Sequence, residues 1–182
     1  MNYRFMFFVA TISITSSMAI AADNEGQFHC PKPGTKFENS LGRKWVALQE
    51  NGPLSCAYRG SKGDYKIISH VTINTRYNPN NVLSGLWPLK TGNRVDFTTN
   101  AGNTTSTQHL EVMNRETVVV KAGSFTVFAI KWVSEGGKRR QSHIENVYYY
   151  APLLGDIVKY TFKAEASSEY FPDWELTKIE AP

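Results

Sequence analysis

Beyond about residue 22, apolar and polar residues alternate in short runs separated by Gly, Asn and Pro clusters, and no long stretch keeps helical spacing. Side chains on a strand point alternately to opposite faces, so this pattern predicts antiparallel strands with one buried face. Residues 65–73 are the clearest run, with Tyr65, Ile67, Val71 and Ile73 on one side. Residues 44–49 and 54–59 predict a hairpin around Glu50-Asn51-Gly52-Pro53, where Asn-Gly takes positive φ at low cost. Asn78-Pro79-Asn80-Asn81 then reads as a loop, and 82–89 as a single helical turn or an irregular plug. A strand over 94–99 turns Val95 and Phe97 inward before a turn at Ala101-Gly102-Asn103-Thr104.

The second half reads as a meander of long strands. Residues 107–121 carry Leu110, Val112, Val118 and Val120 on even positions. A turn at Ala122-Gly123 leads to 125–135, with Phe128, Ile130 and Trp132 on one side. Gly136-Gly137 predicts the next tight turn, followed by 139–150 with Ile144, Tyr148 and Tyr150 together. Pro152 to Gly155 turns the chain into 157–163, and 174–179 closes the domain. Three-residue loops at both glycine turns would set Trp132 opposite Asn114 and Ser142, gathering Val112, Val118, Phe128, Ile130, Trp132, Ile144 and Tyr148 on one face. The expected fold is all-β: one curved antiparallel sheet of about nine or ten strands, a meander half-barrel or open barrel, because strand twist accumulates across consecutive hairpins.

The amino-terminal pattern differs. Arg4 precedes an apolar run over 5–12, and small residues lead to Met18-Ala19-Ile20-Ala21-Ala22-Asp23. This is the layout of a secretion signal over residues 1–21, cleaved after Ala21, with Ala22 as the second choice. The Ser-Ile-Thr-Ser-Ser stretch after Ile12 is too polar for a permanent span of about 20 apolar residues. Cleavage leaves residues 22–182 as a single all-β domain, periplasmic or secreted, with no transmembrane anchor. Arg4 is the only charge lost, so 20 basic and 16 acidic residues become 19 and 16, a net charge of +3. That scattered charge does not predict a nucleic-acid partner. The two cysteines, Cys30 and Cys56, lack Cys-x-x-Cys spacing and are expected to form a structural disulfide in an oxidising compartment.

Candidate chemistry is sparse. His109-Leu110-Glu111 and His143-Ile144-Glu145 each place a histidine and a carboxylate on one strand face. With short turns, His143 and His109 fall roughly 20 Å apart, which argues against a metal site. No Gly-x-Ser-x-Gly elbow, phosphate-cradling glycine loop or obvious carboxylate pair is present, so no catalytic residue and no cofactor is expected. Lys138-Arg139-Arg140 is a basic hairpin tip able to meet anionic headgroups or an acidic partner. Aromatic residues are the strongest lead. Trp87, Tyr148 and Tyr150 are the expected ligand-binding residues if rings line the concave side of a half-barrel, with an apolar small molecule, a lipid or an envelope protein as partner. The alternative is a structural or inhibitory interaction module, and an envelope hydrolase is the third reading.

Four segments carry a resemblance: Pro33-Gly34-Thr35-x-Phe37, Leu86-Trp87-Pro88-Leu89-x-x-Gly92, Val118-x-Val120-x-Ala122-Gly123-x-Phe125, and Tyr150-Ala151-Pro152-x-x-Gly155-x-x-Val158-Lys159. In order and spacing they resemble a family of exported bacterial proteins of unknown function. The resemblance implies a curved antiparallel sheet or half-barrel and brings no catalytic residues. Lys121 stands where that family commonly has proline, and Leu153 where an acidic residue is usual.

Overall fold

The structure is a computed structural model that describes residues 26–49, 52, 54–71, 79–101, 104–136, 143–165 and 171–182. The expected signal over 1–21, the Lys138-Arg139-Arg140 tip and most of the Asn51-Gly52-Pro53 turn lie outside the described residues. Ten strands form one open antiparallel sheet, in the order β4-β3-β2-β1-β10-β9-β8-β7-β6-β5. The strands are β1 (Lys36–Asn39), β2 (Lys44–Ala47), β3 (Ser55–Gly60), β4 (Gly63–Ile68), β5 (Arg94–Ala101), β6 (Thr104–Val120), β7 (Gly123–Gly136), β8 (His143–Ala151), β9 (Asp156–Glu165) and β10 (Trp174–Glu180). Among the described residues no helix is long and apolar enough to cross a membrane.

Two meanders thus lie side by side, joined where the first strand meets the last. β1, which the alternation pattern did not reveal, pairs with β10 through four residue pairs, from Lys36–Glu180 to Asn39–Leu176. The β9–β10 junction is much shorter, with only Trp174–Tyr160 and Glu175–Lys159 in register. Trp174 packs against both hydrophobic clusters and so bridges the two halves. One cluster gathers Leu83, Leu86, Leu110, Val112, Ile130, Trp132 and Tyr150, and the other Phe37, Cys56, Tyr58, Val127, Val158 and Leu176.

Two registers differ from the sequence reading. The β6–β7 turn is Lys121-Ala122, with Val120 already paired to Gly123. Met113 is then an extra residue between Val112 and Asn114, and a bulge of this kind reverses which face the following positions present. Leu110 and Val112 therefore join Trp132 and Ile130 in one cluster, while Val118 and Val120 pack into the other. Gly136 does not turn the chain; it pairs with Ser106 inside the sheet. Trp132 consequently sits opposite Leu110 and Asn146 rather than Asn114 and Ser142, though it shares its face with Phe128 and Ile130 as expected and is buried. The run over 65–73 is also shorter than its alternation suggests. β4 ends at Ile68 because Ser69 and His70 both have positive φ, at 49° and 58°.

The concave side is partly plugged. A 3₁₀ helix (Pro79–Leu86) lies against β5 and β6 and sinks Leu83 and Leu86 into the core. An N-terminal strap over 26–34 seals the region beside it. Gly26 O accepts the Leu89 N–H at 2.7 Å, and a Cβ on Gly26 would fall 2.4 Å from Leu89 O. Cys30 in the strap is bonded to Cys56 in β3, as the sequence predicted.

Candidate functional site

Three of the alternating strands deliver aromatic side chains to the unplugged part of the inner face, because each pairing register brings rings level with rings. Tyr148 pairs with Tyr160, and Tyr160 with Trp174. The result is a continuous row across the sheet. Trp132 and Tyr148 have ring centroids 6.3 Å apart, Tyr148 and Tyr160 5.2 Å, and Tyr160 and Trp174 6.1 Å. Trp174 then meets Trp45 edge-on at 6.1 Å, and Trp45 stacks on Phe37 at 5.5 Å. Spacings of 4.5–7 Å are those of favourable aromatic pairs.

Polar atoms within the row are held rather than free. Trp132 Nε1–H donates to Gln108 Oε1 at 2.7 Å, and the Gln108 amide donates to Ser134 and Thr99. The Tyr160 hydroxyl donates to Asn146 Oδ1 at 2.6 Å. Along β8 every residue from His143 to Tyr149 is only half-buried. Ile144, Asn146 and Tyr148 therefore keep contact with solvent on the face that carries the rings. Phe162 and the 51% exposed Phe171 stack edge-on at 5.4 Å and extend the apolar surface.

The three sequence-nominated residues divide between two environments. Tyr148 stands in the half-buried row. Tyr150 is fully buried, its hydroxyl donating to His29 O at 3.4 Å. Trp87 is half-buried and packs edge-on against Tyr150 at 5.2 Å and Phe28 at 5.0 Å, under the strap. Trp87 and Tyr150 therefore wall the plugged region, and Tyr148 belongs to the accessible one.

Two titratable groups are buried beside this frame. His70 lies against the Phe28 and Tyr150 rings, at 4.7 and 4.8 Å. Its Nε2 faces His29 O at 3.0 Å and is assigned the proton on that ground. Burial pushes its pKa down to about 3, so it is neutral at ordinary pH. Asp156, opening β9, is equally buried. Its Oδ1 accepts the Ile157 N–H at 2.8 Å, and its Oδ2 faces Trp45 Nε1 at 3.4 Å. Burial pushes its pKa up to about 7, partly offset by the Ile157, Trp45 and Tyr58 groups. The Tyr58 hydroxyl lies close enough for burial and the Asp156 charge to push it well above the ordinary phenol range. Among the described residues it nevertheless has no hydrogen-bond partner of ordinary geometry. The turn before Asp156 is fixed by Gly155, at φ 75°, where a Cβ would come within 2.8 Å of both the Cys30 carbonyl carbon and the His29 ring.

Sequence reasoning missed Asp156; its signal was an acid wedged between a turn glycine and the aliphatic pair Ile157-Val158. The separation inferred for the histidines is also overturned. His109 pairs with Val133, which pairs with Glu145, and His143 pairs with Glu135. His109 and Glu145 are thus two strands apart, roughly 10 Å, with Val133 between them. Each histidine instead faces its own carboxylate: His109 Nδ1 lies 2.5 Å from Asp96, and His143 Nδ1 3.6 Å from Glu135. Among the described residues no group of three or more His, Cys, Asp or Glu is placed to hold a metal ion.

No protein-family model matches the chain, and no curated protein matches it. Among solved structures, it is similar to a protein of YmcC-like fold from Bacteroides fragilis, with 13% identity over 85% of this chain and 99% of that one, at a TM-score of 0.44. It is also similar to the hypothetical lipoprotein YmcC of Escherichia coli, with 10% identity over 82% of this chain and 88% of that one, at a TM-score of 0.43.

Proposed function

We propose that this chain is an exported, non-catalytic cell-envelope domain that binds an elongated apolar molecule against the ring row, through its partly accessible members Tyr148 and Trp174. The carrying observation is the row itself: Trp132, Tyr148, Tyr160 and Trp174 are in continuous ring contact, stacked at Tyr160–Trp174 and tilted at the other two, with Trp132 and Tyr160 buried and Tyr148 and Trp174 partly accessible. Rings offer large apolar area at low conformational cost, and a few anchored polar groups such as Asn146 and Gln108 suit orientation rather than chemistry. Export is supported by the leader-like pattern over 1–21 and by the Cys30–Cys56 bond, since disulfides persist in oxidising compartments.

The test is titration with N-phenyl-1-naphthylamine, a neutral apolar dye that brightens in dry surroundings. Saturable brightening is expected, with loss of affinity in Tyr148→Ala and Trp174→Ala and retention in a variant of the distant, exposed Leu153, such as Leu153→Ser. Absence of saturable binding, or equal binding by all variants, rejects the reading. An interaction module would instead show no dye binding while retaining a protein partner.

A further inference from the structure

At Trp132 the ring row meets a strip of polar side chains that carries no charge. Trp132 Nε1–H donates to Gln108 Oε1, and an indole nitrogen can only donate. The Gln108 amide is therefore oriented with its NH2 group toward Ser134 Oγ, at 2.9 Å, and Thr99 Oγ1, at 3.2 Å. Both hydroxyl oxygens accept, so their own protons are left to donate elsewhere. Asn146, opposite Trp132 on β8, takes the Tyr160 hydroxyl on Oδ1 and keeps the two protons of Nδ2. Gln108 is buried, whereas Thr99, Ser134 and Asn146 are half-buried and reach solvent.

Strand register puts this strip and the rings on one face. Gln108, Ser134, Ile144 and Ala164 form one cross-strand row, and Leu110, Trp132, Asn146 and Phe162 the next. A third brings in Tyr148, Tyr160 and Trp174. None of these positions holds Asp, Glu, Lys, Arg or His. On the opposite face, the row between the first two reads His109, Val133, Glu145 and Lys163. The ringed face thus offers donors without charge. A charged group settling there would lose water with no opposite charge to receive it, whereas an uncharged oxygen would gain a hydrogen bond.

We infer that the molecule on the ring row is an uncharged amphiphile, its apolar part against Tyr148 and Trp174 and its polar end, of hydroxyl, ether or ester oxygens, accepting from Thr99, Ser134 and Asn146. The apolar part rests on the ring-row reading, whereas the polar end stands on the uncharged strip and the direction of its donors.

Dodecyl maltoside, monododecanoylglycerol, dodecyl phosphate and dodecyltrimethylammonium, titrated calorimetrically below their aggregation concentrations, form the test. The better of the two neutral ligands is expected to bind at least about tenfold tighter than either charged one, with little change on adding salt. A lead for the maltoside identifies a glycosidic head, and a lead for the glyceride an ester one. Thr99→Val combined with Ser134→Ala should bring the preference below about threefold while leaving affinity for N-phenyl-1-naphthylamine intact. Asn146→Asp keeps an acceptor for Tyr160, adds a charge, and should tighten dodecyltrimethylammonium by about fivefold. A charged ligand that binds as tightly as the better neutral one overturns the inference. So does a preference that survives in a double variant still able to bind the dye. Should that variant lose the dye, Asn146→Asp decides, and no gain for the cation overturns the polar end. Dye binding without neutral-ligand binding keeps the ring row and rejects the polar end. A neutral preference that depends on Thr99 and Ser134, with no dye binding, upholds the polar end and rejects the ring row.

Discussion

Asp156 and His70 should make the pH dependence of stability almost level in the wild type, and Asp156→Asn should tilt it. Asp156 titrates near 7 in the fold against an ordinary 3.8. The folded state therefore holds that proton more tightly, and the resulting stability is full below about pH 4 and lost as pH rises through 7. The gap corresponds to about 4 kcal/mol. His70 runs the other way, with about 3 in the fold against 6.5. Its contribution is full above pH 6.5 and lost as pH falls through 3, a span of about 5 kcal/mol. Between about pH 4.5 and 6.5 the two slopes oppose each other. The exposed acids whose pKa values are lowered, Asp64 by Arg59, Asp96 by His109 and Arg94, and Glu180 by Lys178 and Lys36, act below that window. Asp156→Asn keeps the side-chain shape and an acceptor for the Ile157 N–H while removing the titration. Its stability should climb by about 1.4 kcal/mol per pH unit from 4.5 to 6.5 and exceed the wild type by up to about 4 kcal/mol at pH 8. Urea unfolding followed by tryptophan fluorescence at half-unit pH steps measures this directly, provided the denaturant slope stays constant. A variant as level as the wild type, or a wild type that falls steeply over this window, refutes the pairing of these two buried groups.

Two further outcomes follow from the packing. Trp132→Ala removes a buried ring bonded to Gln108 and should cost about 3–5 kcal/mol, seen as a much lower melting temperature; a wild-type melt would remove Trp132 from the core. Replacing both Cys30 and Cys56 by serine opens a loop with a sequence separation of 26 and should cost about 3.5 kcal/mol. The unreduced wild type should show no reactive thiol on denaturation, and stoichiometric labelling would contradict the bond.

The fold was legible where a strand buries one face and its turns are short. Phe128, Ile130 and Trp132 announced β7, and Pro152 with Gly155 announced the turn after β8. Register was not legible, because alternation has a period of two and is blind to an even shift or to a bulge. Met113 supplies the bulge, and nothing in Val112-Met113-Asn114 marks it in advance. β1 was missed because four residues, Lys36–Asn39, are too few to alternate convincingly. The candidate site was half legible for the same reason. The rings of Tyr148, Tyr160 and Trp174 are plain in the sequence, but their stacking depends on pairings that only the folded sheet fixes. The isolation of Asp156 depends on Trp45 and Tyr58, more than a hundred and nearly a hundred residues away respectively.

The two-pair junction between β9 and β10, together with the pairing of β1 to β10, sets an order of assembly. β1 to β4 can zip from local hairpins, and β5 to β9 can do likewise. The seam between them must wait for β10, which is made after the other nine strands, and closing it joins residues about 140 apart in sequence. Contacts of such long range form slowly, since the loop must be closed before they repay its entropy. A chain emerging amino end first would therefore carry two finished half-sheets, each with a bare strand border, until β10 emerged. Those borders, on β1 and β9, are the surfaces that a folding helper would have to shield, and the stage at which this protein is most exposed to misassembly.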